Sequence, residues 1–115
     1  NQPRQAGLLS VQEWRTLEAY VDANLHDEIP VLELARVTGR SVRHFSRMFR
    51  QSAGRTPHDW VVAKRVGRSK HLLAGKKLSL AEIALSCGFA DQSHFTTSFR
   101  KLTGQTPLKW QRANA

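Results

Sequence analysis

The sequence predicts an all-α fold of about seven helices, in which two helix-turn-helix subdomains are joined by a long linker helix. Three observations carry that expectation. The first is a repeat: "HFSRMFRQSAGRTPHDW" from His44 and "HFTTSFRKLTGQTPLKW" from His94 agree at eight of seventeen positions, fifty residues apart. A repeat at fixed spacing is settled first, because it sets the unit of the fold. The second is that helix start and stop signals recur in the same order in both copies. The third is that no segment shows the strict alternation of a half-buried strand.

The elements follow in order. "SVQE" is a capping box, with Ser10 accepting from first-turn amides and Glu13 reaching back. Trp14, Leu17, Val21 and Leu25 then mark one apolar helical face to about His26. Pro30 opens a short helix, "VLELARV", which Gly39 stops as a left-handed terminator. Ser41 caps the next helix, whose Val42, Phe45, Met48 and Phe49 face inward, and Gly54 closes it. In "TPHD", Thr56 is the cap, Pro57 the first helical position and Asp59 the third. From there a long helix runs to about Ala74, with Gly67 a weak point costing about 1 kcal/mol relative to Ala.

The second copy repeats this grammar. "SLAE" at Ser79 is another capping box, "IALSC" a short helix, and Gly88 its terminator. A helix starting near Asp91 buries Phe95, Phe99 and Leu102 and ends before Gly104, and "TPLKW" opens a last short helix. Upstream of the shared core the offset falls to 49, pairing Glu33, Leu34, Ala35 and Gly39 with Glu82, Ile83, Ala84 and Gly88. The second turn is therefore one residue longer, around "FADQ". The expected division is a linker or tail over 1–9, a first lobe over 10–56, the linker helix over 57–75 and a second lobe over 76–115.

Composition bounds the function. A chain of 115 residues is one domain or a tight pair of small lobes, and 40% hydrophobic content is ordinary for a globular protein. No apolar run approaches the roughly 20 residues needed to span a bilayer, and no signal-peptide pattern opens the chain, so a cytoplasmic protein without membrane contact is expected. The single cysteine, Cys87, excludes an internal disulfide and argues against structural zinc. The net charge of +9 is unevenly placed: residues 1–33 carry −4, residues 34–81 carry +11 and residues 82–115 carry +2. So concentrated a basic block points to a polyanionic partner, against the alternative of a merely solubilising face.

Each repeat is a short helix, a glycine-bearing turn and a longer second helix, which is the helix-turn-helix unit. An α-hairpin repeat used only for packing is the alternative. The outer face of the second helix decides between them. Arg43, Ser46, Arg47 and Arg50 fall at steps of three and four, opposite the apolar face. Such an arginine row repels itself in water, but is neutralised by phosphates and matched by guanine edges.

At this point the residues resemble a known family. "AEIALSCGFADQSHFTTSFRKLTGQTP" is similar to the signature of AraC/XylS-type bacterial transcription regulators: the small-xxx-Gly-Phe turn, the "DQSHF" helix start, the paired phenylalanines and the closing G-x-T-P. The first repeat and "KRVGRSKHLLAG" fit the family's other half, so the resemblance spans about Trp14 to Trp110. It implies two helix-turn-helix subdomains that bind double-stranded DNA as sequence-specific activators or repressors. It also implies a separate N-terminal sensing or dimerisation domain, for which "NQPRQAG" looks like the connecting linker.

By that resemblance Arg43, Ser46 and Arg47 occupy the base-facing positions of the first recognition helix (about 42–52). Gln92, Ser93, Thr96 and Thr97 occupy those of the second (about 92–102). Thr97 stands where the family often has arginine, and where the first repeat has Arg47, so the first helix is expected to carry most of the base discrimination. Arg50 and Arg100, identical across the repeats and one turn further on, suit phosphates, with surface ion pairs as the alternative. The helix starts at Ser41 and Thr56 offer amides to phosphates, or are simple caps. Arg65 matches a recurrent linker-helix arginine and is expected to act structurally at the lobe interface, with DNA contact as the alternative. A linker helix of 18 residues spans about 27 Å, against about 34 Å between successive major grooves. The shortfall implies DNA bent toward the protein, or weaker docking of the second helix.

Other candidates carry less. His44 and His94 sit one in each lobe, without a His or Asp cluster. Metal ligation is not expected; packing or a phosphate contact is, and His94 is placed with the phosphate contacts. Cys87 reads as a small buried hydrophobe, and Trp60 and Trp110 as equivalent core anchors. No activated nucleophile or paired carboxylate is present, so no enzyme and no cofactor are expected. Two further function classes remain beside the sequence-specific regulator. One is a non-specific architectural DNA binder. The other is an interaction module contacting RNA polymerase, for which acidic Glu13, Glu18 and Asp22 on the first helix are candidates.

Overall fold

The computed structural model describes residues 8–114. Among them the chain forms seven helices and no strand: α1 Val11–Asn24, α2 Val31–Val37, α3 Val42–Ala53, α4 Pro57–Gly75, α5 Leu80–Ser86, α6 Gln92–Thr103 and α7 Pro107–Ala113. The all-α expectation and its helix order are borne out. The expected tail falls mostly outside the described residues, but Leu9 is 8% exposed and its amide donates to Ser52 Oγ at 2.8 Å.

Local chemistry explains the boundaries. Ser10 and Glu13 form the reciprocal capping box of α1, with bonds of 2.9 and 3.1 Å, and Ser79 and Glu82 repeat it on α5. Gly39 and Gly88 take φ of +71° and +89°. Around each, a six-residue bond closes the helix end, Arg40 N to Ala35 O in one copy and Phe89 N to Ala84 O in the other. The turn from α2 to α3 spans residues 38–41 and that from α5 to α6 spans 87–91, so the extra residue of the second turn is present.

Two compact units result. The first comprises residues 8–24 and Glu28–Val61, and the second comprises Leu25–Asp27 and 62–114, so α4 contributes to both. In the first, Leu17, Val21, Leu34, Ala35, Phe45 and Phe49 are almost wholly buried. Trp14 packs edge-on to Trp60, and both rings lie 5.2 Å from Phe49. In the second, Val66, Leu73, Ile83, Ala84, Cys87, Phe89, Phe95 and Phe99 form one cluster, with Trp110 partly buried against it. Phe45–Phe49 and Phe95–Phe99 have the same 5.7 Å ring separation, with ring planes at 46° in the first pair and 78° in the second.

One expectation is corrected. Leu102, expected to be buried with Phe95 and Phe99, is 49% exposed. Helical periodicity places it on their side, but in the last turn of α6 that side has run past the core. The long helix ends at Gly75, and Lys76 after it takes a left-handed φ of +54°.

Candidate nucleic-acid interface

α3 is fixed from both sides. Ser41, in extended conformation, accepts from His44 N at 3.1 Å, which sets where the helix begins. Phe45, Met48 and Phe49 hold its inner face. What remains outward is Arg43, His44, Arg47 and Arg50, all exposed, with Ser46 half-buried at the edge. Ser41, Arg43, His44 and Arg47 line one shallow depression. Among the described residues none of Arg43, Arg47, Arg50 and Arg100 is ion-paired. These positive charges are uncompensated by the protein itself.

α6 is built alike with different chemistry. Its cap is Asp91, whose Oδ1 accepts from His94 N at 2.8 Å. Phe95 and Phe99 are fully buried. Gln92, Ser93 and Thr97 are exposed and Thr96 half-buried, and these four line a second depression. Arg100 is exposed one turn on. The structure thus gathers all four residues expected on this helix. On α3 it gathers Arg43 and Arg47, leaves Ser46 outside the depression and brings in His44.

The equivalent histidines diverge. The His94 ring lies edge-on to Phe89, with centroids 5.4 Å apart, and does not line the α6 depression. By the 49-residue offset the partner of Phe89 is Arg40, which instead pairs with Glu13; their side chains are only 12% and 17% exposed. His44 has no such ring beside it and faces the depression. The offset alone paired Arg40 with Phe89, and that was the signal from which this difference could have been read.

The remaining candidates resolve as follows. Thr56 Oγ1 accepts from Asp59 N at 3.1 Å, capping α4. Arg65 is 9% exposed and donates from Nε to Leu25 O at 3.2 Å and from Nη2 to Asp27 O at 2.7 Å. Its guanidinium is spent on backbone carbonyls within the second unit. Burial lowers the Arg65 pKa and raises that of the fully buried Cys87 thiol. Glu13 is held by partners within the first unit. Burial would raise its pKa, but the Ser10 amide, the Arg40 guanidinium and the Ser10 hydroxyl outweigh that and hold it below the usual range. Among the described residues no group of three His, Cys, Asp or Glu could hold a metal, and no helix is long and apolar enough to cross a membrane.

Comparison with known proteins agrees with this architecture. A helix-turn-helix domain family matches residues 34–113. "Probable transcriptional regulator LumQ" of Photobacterium leiognathi is 35% identical over 95 residues, which are 83% of this chain and 38% of that protein. The crystal structure of a transcriptional regulator from Chromobacterium violaceum, of the AraC-type DNA-binding domain proteins, superposes with TM-score 0.83 at 26% identity, covering 90% of this chain and 93% of that one. The DNA-binding domain of AdpA, solved in complex with a target DNA, superposes with TM-score 0.80 at 29% identity and the same coverage. The chain spans 26–38% of the length of the first curated relatives it matches. With the matched region taking in both glycine-turn repeats and the helix between them, the chain belongs to the AraC-type helix-turn-helix family.

Proposed function

We propose that this chain is the DNA-binding part of a sequence-specific bacterial transcription regulator, acting in the cytoplasm. One observation carries the reading. Each repeat turns an exposed, differently lined depression outward from a helix held by two buried phenylalanines, and the arginines beside it lack protein partners. The likeness to the AdpA domain solved on its target DNA supports it. α3 and α6 each enter a major groove, one helical turn of DNA apart. Arg43, Ser46 and Arg47 read bases from the first, and Gln92, Ser93, Thr96 and Thr97 from the second. Arg50 and Arg100 neutralise phosphates. The first-turn amides beyond Ser41 and Thr56 add to this, as does His94 where its ring edge clears Phe89. An architectural binder has the same charge but no use for two unlike surfaces.

A sensing or dimerisation domain preceding this segment, and RNA polymerase, are proposed partners. The test is a binding titration against a randomised duplex pool at two salt concentrations. Enrichment of one asymmetric site with two blocks about one turn apart is expected. Arg50→Ala and Arg100→Ala should each lower the salt slope by about 1 while leaving the selected bases unchanged. A steep salt slope with no enriched sequence overturns the reading.

A further inference from the structure

We propose that the two depressions read different base pairs, the one on α3 taking guanine edges and the one on α6 taking A·T pairs; this rests on the DNA-reading function above. The argument is a count of donors and acceptors. On α3 the depression is lined by Arg43, His44, Arg47 and Ser41. Guanidinium groups offer N–H donors in a fixed fork and no acceptor. The Ser41 oxygen already accepts from His44 N. No carboxylate or amide oxygen lines the site, and two guanidinium forks outnumber the acceptors that a hydroxyl and an imidazole can offer, so donors predominate. In the major groove guanine alone presents two adjacent acceptors, O6 and N7; the amino groups of adenine and cytosine would meet donor with donor.

The α6 depression is the opposite case. No cation lines it, and Gln92 offers a donor and an acceptor together, which matches adenine N6 and N7. Thr96 and Thr97 each add a methyl group, suited to the thymine methyl of the same pair. At the head of the helix stands the Asp91 carboxylate, where α3 has neutral Ser41. The exchange of Arg40 for Phe89 widens the contrast. It leaves His44 at its depression and draws His94 onto a ring, away from the other one. The DNA site is therefore polar, with a guanine block under the first unit and an A·T block under the second.

A donor-rich depression also suits phosphate, and the test separates the two. Selection from a randomised duplex pool is run with the 115-residue chain, Arg47→Ala and Thr97→Arg, each variant checked for unchanged circular dichroism and Tm. The native chain is expected to select one block with a fixed guanine and one block of A·T pairs. Arg47→Ala should erase the guanine from its own block only and weaken binding to the parent site by about 5- to 150-fold, the range for one good bidentate contact. Thr97→Arg should introduce a guanine into the A·T block. Two enriched blocks with guanine in both or in neither would overturn the inference and leave the regulator reading intact. So would unchanged base frequencies in Arg47→Ala, which assign Arg47 to phosphate. Absence of any enriched block overturns the regulator reading itself.

Discussion

Gly39 and Gly88 are the same residue in the two repeats, with nearly the same left-handed φ, yet an added methyl group should cost very different amounts. At Gly39 a Cβ would meet nothing within 4 Å. Gly39→Ala then bears only the left-handed penalty of about 1–2 kcal/mol, partly offset by the lower freedom of the unfolded chain. A net loss of about 1 kcal/mol is expected. At Gly88 the Cβ would collide with the Leu25 carbonyl oxygen and lie 2.7 Å from Arg65 Nε. That carbonyl is the acceptor of the Arg65 Nε bond, and the guanidinium is 9% exposed. Backbone must move, which adds about 1–3 kcal/mol for overpacking. The charge-assisted bond it disturbs is worth a further ~1.5–3 kcal/mol. Gly88→Ala should therefore cost about 3.5–7 kcal/mol. Urea unfolding followed by fluorescence and circular dichroism measures both, and at ~4–8 °C per kcal/mol thermal melts should separate the variants by more than about 10 °C. Equal midpoint shifts for the two substitutions would refute the packing argument around Arg65.

Three more outcomes follow from the geometry. Lys76→Gly should stabilise the chain by about 1 kcal/mol in thermal melts, because Lys76 holds φ +54° where glycine is unstrained. Glu13→Gln should cost about 2 kcal/mol at pH 7 by loss of charge-assisted bonds. The folded pKa of Glu13 lies below its ordinary 4.5, so its contribution is present above that value and lost as pH falls through the lowered one. Native and Glu13→Gln stability curves should accordingly converge in acid; parallel curves would refute the assignment. Cys87, fully buried and with its thiol pKa raised by burial, should react with Ellman's reagent at pH 8 only as fast as the second unit opens, and at once in denaturant.

Signals written in neighbouring residues were legible in advance. Capping boxes, left-handed glycines and the TP helix starts depend on contacts three to five residues apart, so "SVQE", "SLAE" and the glycine turns could be read directly. Burial at helix ends could not, because periodicity gives Leu102 a direction but not a cover. Glu13 passed for a surface acid because its partner, Arg40, lies 27 residues on. The partners of Arg65 are carbonyls, which every residue carries and no sequence distinguishes. The residues expected on the two outer faces lie there exposed or half-buried. His44 and His94, identical in sequence, separate only through what stands beside each ring.

The three residues Leu25–Asp27 have a consequence for how this chain can be cut and recombined. They follow α1, yet they cluster with the second unit and supply both carbonyls that hold Arg65, across 38 and 40 positions of sequence. A fragment beginning at α4 would carry a buried guanidinium without its acceptors. Closing that span also adds long-range contacts, with their loop-closure cost, to the second unit. The sequence repeats as two beads, but the fold is laced, and a graft that exchanges one lobe must carry the strap between α1 and α2 with it.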